Sequence, residues 1–112
     1  MANKQSYLGE FEHFVLLSVL HLENNAYGVT MRKQLKESIN RDVTLGALYS
    51  TIERLEKKGF ITSKKGDTKP ERGGKAKRLV NITASGLKTL SESKERLETM
   101  WLNTQVWEST YA

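Results

Sequence analysis

Between Thr44 and Gly66 the chain reads TLGALYSTIERLEKKGFITSKKG, with small and hydroxyl-bearing residues first and cations after them. If this stretch is helical, Leu48, Ile52 and Leu55 form an apolar stripe at helical spacing. The opposite face then carries Gly46, Ala47, Ser50, Arg54 and Lys57. Small residues near a helix N-terminus let the backbone approach a ligand closely, and the helix dipole there favours phosphate. Ser50 and Thr51 offer hydroxyls for hydrogen bonds to bases or backbone, while Arg54 and Lys57, one or two turns on, suit flanking phosphates. The chemistry implied is non-covalent capture of a phosphate-bearing polymer.

A second cationic focus follows. From Lys64 to Arg78 there are seven basic residues (Lys64, Lys65, Lys69, Arg72, Lys75, Lys77, Arg78) against Asp67 and Glu71. That local excess of five equals the whole chain's formal charge of +5. It suits a polyanion through counterion release or attraction to anionic lipid; the alternative is a solvated loop.

Catalytic and metal chemistry find no support. There is no cysteine, and no motif surrounds any serine. His13 and His21 lie eight apart with no convergent ligand cluster, so no metal site is expected, and no cofactor. The loop GDTKPERGGK lacks the glycine spacing and Lys-Ser/Thr ending of a phosphate-binding loop.

A chain of 112 residues holds one small domain with its own core. The apolar run FVLLSVLHL is about half the ~20 residues of a membrane span, so no membrane association is expected. The N-terminus lacks the pattern of a secretory signal, and the absence of cysteine fits a cytoplasmic location.

These residues need elements to place them. Leu8 to Glu23 reads as a first helix, apolar nearly all round in its second half and therefore buried on more than one side. Asn24 and Asn25 end it, and Gly28 is expected to take positive φ in the turn after them. Val29 to Ile39 reads as a second helix with Met31, Leu35 and Ile39 on one face. Thr44 is the expected N-cap of the third, and Gly59 its left-handed C-cap. FITSKK and KRLVNIT then suggest a β-hairpin with a long basic tip. Thr83 opens a last helix whose apolar set is Leu87, Leu90, Leu97, Met100, Trp101 and Trp107, partly at 3-and-4 spacing, as for a seam against another helix. The fold class expected is mainly α with a small β-hairpin: a winged helix-turn-helix over 8–83, then a long C-terminal dimerisation helix over 84–110.

In a helix-turn-helix the second helix of the pair enters the DNA major groove N-terminus first. The expected interface is Thr44, Gly46, Ala47, Tyr49, Ser50, Thr51, Arg54 and Lys57 on that helix, with Lys64, Lys75, Lys77 and Arg78 on the wing. The chain resembles the PadR-type winged-helix regulators in AYGVTMRKQL, VTLGALYSTIERLEKKGFI and GGKAKRLVNITASG. The core of the likeness is Gly46, Leu48, Tyr49, Arg54, Leu55, Glu56, Gly59 and Ile61 in fixed spacing. By resemblance this is a homodimeric repressor of double-stranded DNA, of the small subgroup with one dimerisation helix. The family usually has threonine at Ala47 and proline at Ser50, so no operator sequence carries over; aromatic residues are usual where Leu79 and Val80 stand.

Several alternatives stay open on the residues alone. Tyr49 can touch phosphate or pack between helices. Arg54 can serve DNA or an ion pair with Glu53 or Glu56. The resemblance implies that aromatic drugs bind between rings across the dimer axis in some small members, which makes Trp101, with Leu97 and His13, the candidate site for an aromatic or hydrophobic effector. The same Trp101, with Leu87, Leu90, Leu97 and Met100, can instead fill the dimer core. A protein-interaction module or a hydrophobic-ligand carrier are the rival functions.

Overall fold

The computed structural model describes residues 7–68 and 76–104. The first helix, α1 (Glu10–Leu22), begins later than its apolar pattern, because Gly9 is the N-cap and gives its N–H to the carboxylate of Glu12 at 3.0 Å. Val15, Leu16 and Val19 are buried, and the helix packs against three other helices and a strand. A single 3-10 turn (Glu23–Asn25) follows.

The helix α2 (Gly28–Ile39) buries Met31 and Leu35. Gly28 is already helical, which corrects the expectation of a left-handed glycine. It is needed for a different reason: a Cβ there would overlap the Tyr49 side chain. Asn40, at φ 54°, supplies the left-handed residue that ends this helix.

The third helix, α3 (Leu45–Lys57), follows the sequence reading closely. The Thr44 hydroxyl accepts from the Ala47 N–H at 3.0 Å, and Leu48, Ile52 and Leu55 are buried. Gly59 has φ +81°, the Gly59 N–H reaches the Glu56 carbonyl, and the Phe60 N–H reaches the Leu55 carbonyl, both at 2.9 Å. This paired C-terminal closure needs a left-handed residue at its apex, and it delivers Phe60 into the core beside Leu55.

The wing is an antiparallel pair, β1 (Ile61–Thr68) and β2 (Ala76–Ile82). Ile61 faces Ile82, Ser63 faces Val80 and Lys65 faces Arg78, with a shift in register before Thr68. Ile61 and Val80 point into the core while Thr62, Lys64 and Asn81 on the other face are exposed, the alternation a half-buried sheet requires; Lys65 and Arg78, on the core-side face, lie beyond the core and are exposed. Val80 also donates its N–H to the Ala26 carbonyl at 2.8 Å, pinning the approach to α2 against the wing.

The last helix, α4 (Ala84–Trp101), is capped by Thr83, whose hydroxyl accepts from Gly86 N–H at 3.0 Å and donates to the Gly59 carbonyl at 2.7 Å. Gly86 lies against the Phe60 carbonyl so closely that no Cβ fits. Leu90 corrects an expectation: it is 5% exposed and part of the head's own core, not of a seam with another chain. The helix is shorter than the expected 84–110: it ends at Trp101, where Leu102 turns to an extended conformation and Asn103 to a left-handed one, φ 62°, while Trp107 lies outside the described residues. The architecture is a winged helix-turn-helix followed by a C-terminal helix.

Two glycines separate packing from surface. Gly86→Ala must push α4 off a backbone carbonyl and should lower unfolding free energy by about 1–3 kcal/mol. Gly46 has open space where its Cβ would stand, so Gly46→Ala should be neutral or stabilising by up to about 1 kcal/mol. Denaturant unfolding of both variants checks this; equal losses would contradict the packing.

Candidate nucleic-acid interface

With Leu48, Ile52 and Leu55 turned inward, α3 leaves Thr44, Gly46, Ala47, Tyr49, Ser50, Arg54 and Lys57 exposed. The backbone of the first turn is thus bare of bulky side chains, beside the helix's positive end. Thr51 is the exception. It is buried, its hydroxyl donates to the Ala47 carbonyl at 3.1 Å and accepts from Arg54 Nη2 at 3.2 Å, so it belongs to the inner side of the helix and not to the exposed face.

Tyr49 uses both of its ends. Its ring and hydroxyl pack over Gly28, joining the two helices of the motif, while the residue remains partly exposed at the surface.

The wing cations divide by partner. Lys64 is exposed on β1. Arg78 is tied to α3, with Nε on the Ser63 hydroxyl at 3.0 Å and Nη2 3.7 Å from Glu56, whose carboxylate also accepts from Ser63 at 3.1 Å. Lys77 lies over the Tyr27 ring, its Nζ 4.7 Å from the centroid. Lys75 lies outside the described residues.

Arg54 pairs with neither Glu53 nor Glu56. Its Nε is 3.7 Å from Glu12 on α1, and Lys58 Nζ donates to the same carboxylate at 3.1 Å. Glu12 is 8% exposed, the one acidic residue in the buried set of the described residues. Burial, the largest influence, pushes its pKa up, but the Gly9 N–H, the Lys58 hydrogen bond and the charges of Lys58 and Arg54 together outweigh it, leaving the carboxyl below its ordinary value. Glu12 escaped the sequence reading because its partners lie more than 40 positions away. A signal was nevertheless present: Glu12 stands at core-facing spacing with Val15, Leu16 and Val19, where an acid needs cations.

Among the residues expected at an effector site, His13 and Leu97 come together and Trp101 stands apart. His13 Nδ1 is 2.8 Å from the hydroxyl of Ser93, joining α1 to α4. Burial lowers the His13 pKa. A cleft of about 340 Å³ lined by His13, Phe14, Leu17 and Leu97 lies on one side, and one of about 580 Å³ lined by Leu17, Leu20, Leu87 and Leu90 on the other. Trp101 and Met100 are 61% and 78% exposed on the far end of α4, and neither lines these clefts. No three His, Asp or Glu side chains converge as metal ligands among the described residues, and no helix among them is long and apolar enough to cross a membrane.

The fold defines the class: winged helix-turn-helix proteins. A PadR-like transcriptional regulator from Bacillus cereus is similar over 91% of this chain and 92% of its own, at 22% identity and a TM-score of 0.70. A transcriptional regulator from Clostridium thermocellum is similar over 90% and 92%, at 21% identity and a TM-score of 0.68. A PadR family transcription regulator from Clostridium difficile is similar over 91% and 99%, at 20% identity and a TM-score of 0.67. No curated protein matches the sequence. The profile of the transcriptional regulator PadR-like family matches residues 16–92, most of the chain, and the protein belongs to that family.

The depressed Glu12 pKa carries a pH signature. A carboxyl more acidic in the fold than in the unfolded chain stabilises above its unfolded value, and that contribution is lost as pH falls through the lower, folded one. Wild type should therefore exceed Glu12→Gln in stability near neutral pH, with the gap closing through the acidic carboxylate range. Thermal unfolding of both proteins across that range is the check; a gap independent of pH would contradict the ion pairing.

Proposed function

We infer that this protein is a sequence-specific, DNA-binding transcriptional regulator acting as a homodimer, a repressor relieved by a small-molecule inducer in the cytoplasm. One observation carries the reading: α3 buries its apolar stripe and leaves a face of small, hydroxyl and basic residues exposed beside a basic wing. On this assignment residues 8–83 form the DNA-binding head, and α4, from Ala84 to Trp101, is the dimerisation helix. In this reading Gly46 and Ala47 let the first turn approach the groove, Thr44, Tyr49 and Ser50 donate to backbone or base edges, and Arg54, Lys57, Lys64, Lys75, Lys77 and Arg78 meet phosphates.

The C-terminal helix supports the dimer. Leu87, Leu97, Met100 and Trp101 are all exposed on it, more apolar surface than a lone helix end leaves in water without a partner. Two α3 helices related by the dimer axis would then occupy successive major grooves about one turn apart. An aromatic or hydrophobic effector lodged near Leu97 and His13, where apolar clefts border the α1–α4 joint, acts by changing the angle between the heads. Trp101, exposed on the same helix, is the ring that such an effector or the partner's helix would meet.

Fluorescence anisotropy with a duplex selected by the protein from a random pool, against a scrambled duplex, tests the reading. Specific binding that survives physiological salt supports it. Weak, equal binding that vanishes with salt replaces it with a protein-interaction module, and effector quenching of tryptophan without any change in DNA affinity replaces it with a ligand carrier. Lys57→Ala should weaken binding to both duplexes and make the salt slope shallower by about one. Leu97→Asp, at a position 53% exposed in the single chain, should leave the head folded and shift sedimentation to the monomer; an unchanged sedimentation coefficient would remove Leu97 from the seam.

A further inference from the structure

The buried carboxylate of Glu12 does more than join two helices. It meets the Gly9 N–H, Lys58 at the C-cap of α3 and Arg54 in its last turn, and Arg54 in turn donates to Thr51, whose hydroxyl bonds the Ala47 carbonyl. A continuous polar track thus runs from the start of α1 along the inner side of α3 to its first turn, ending at the bare backbone beside Gly46. Within this track Arg54 has 55% of its side chain exposed, on the helix that carries the small-residue face. A guanidinium has five N–H donors in a rigid plane, and one is committed to Thr51 here. Fixing that plane leaves the remaining donors in a set direction, so less rotamer freedom is lost when they meet a phosphate.

We propose that Glu12 is a positioning residue for DNA recognition, orienting the Arg54 guanidinium from behind so that α3 docks in one register. The assignment rests on the DNA-binding reading above. Its consequence runs against simple electrostatics. Removing a negative charge from beside a DNA-binding face should strengthen attraction to any duplex. Loss of a positioning group should instead weaken the specific complex and leave the scrambled one little changed.

The test is a double-mutant cycle on the full-length protein, measuring anisotropy with the selected and scrambled duplexes for wild type, Glu12→Gln, Arg54→Ala and the pair. Glu12→Gln should lower the ratio of specific to scrambled affinity by about ten-fold, the order of one misplaced charge-assisted contact. In the Arg54→Ala background the same change should have no further effect on that ratio, because Glu12 acts through Arg54. A purely structural role would lower both affinities together and add to the Arg54 loss. Thr51→Val breaks the track on the other side of Arg54 and should shift the ratio in the same direction; it settles the matter if Glu12→Gln does not fold. A ratio unchanged in Glu12→Gln or Thr51→Val, or a gain in affinity for both duplexes, overturns the proposal. A wild-type protein with no preference between duplexes overturns the DNA-binding reading first, and this assignment with it.

Discussion

A helix apolar on nearly every side has to be wrapped, and the wrapping of α1 decides where everything else goes. Val15, Leu16 and Val19 take up the core beneath α2 and α3, and the same helix meets β2 and α4. Two adjacent polar residues of α1 take part in that wrapping. Glu12 needs cations and finds Lys58 and Arg54, while the neighbouring His13 finds Ser93. Adjacent positions on one helix therefore fasten α3 on one side and the C-terminal helix on the other. An outward face on α3 is the by-product of an inward face that α1 fully occupies.

Glycine does the complementary work of letting backbones close up. Gly28 yields to the Tyr49 side chain, and Gly86 to the Phe60 carbonyl, so that α2 meets α3 and α4 meets the turn after α3 without an intervening side chain. Gly59 alone among the described glycines has a positive φ, at the one corner where the chain must leave a helix and enter a strand immediately. Gly46 is required by none of these contacts, and its absence of a side chain costs helix stability. That makes it the glycine whose presence is best explained by something that approaches from outside.

Local signals made much of this legible. Thr44 and Thr83 cap where a hydroxyl precedes a helix, Leu48, Ile52 and Leu55 sit at helical spacing, and the change to strand-like alternation after Gly59 marks the wing. What escaped depends on distance along the chain or on atoms not encoded by type. Thr51 reads as a surface hydroxyl, yet it falls between Leu48 and Leu55 on the inner side and satisfies itself on a backbone carbonyl. Leu90 fits a seam as well as a core, since periodicity gives a face and not its partner. The Glu12–Arg54 pair joins positions 42 apart, and no local pattern announces it. The close approach at Gly28 needed the third dimension, though the glycine itself was visible.

In the proposed function two α3 helices of one dimer present this exposed face to adjacent major grooves, and hydroxyl-radical footprinting of the selected duplex reads that arrangement out. Two protected patches about one helical turn apart on a single face of the DNA, related by the symmetry of the site, are expected. A single patch, or uniform weak protection along the duplex, would contradict that arrangement.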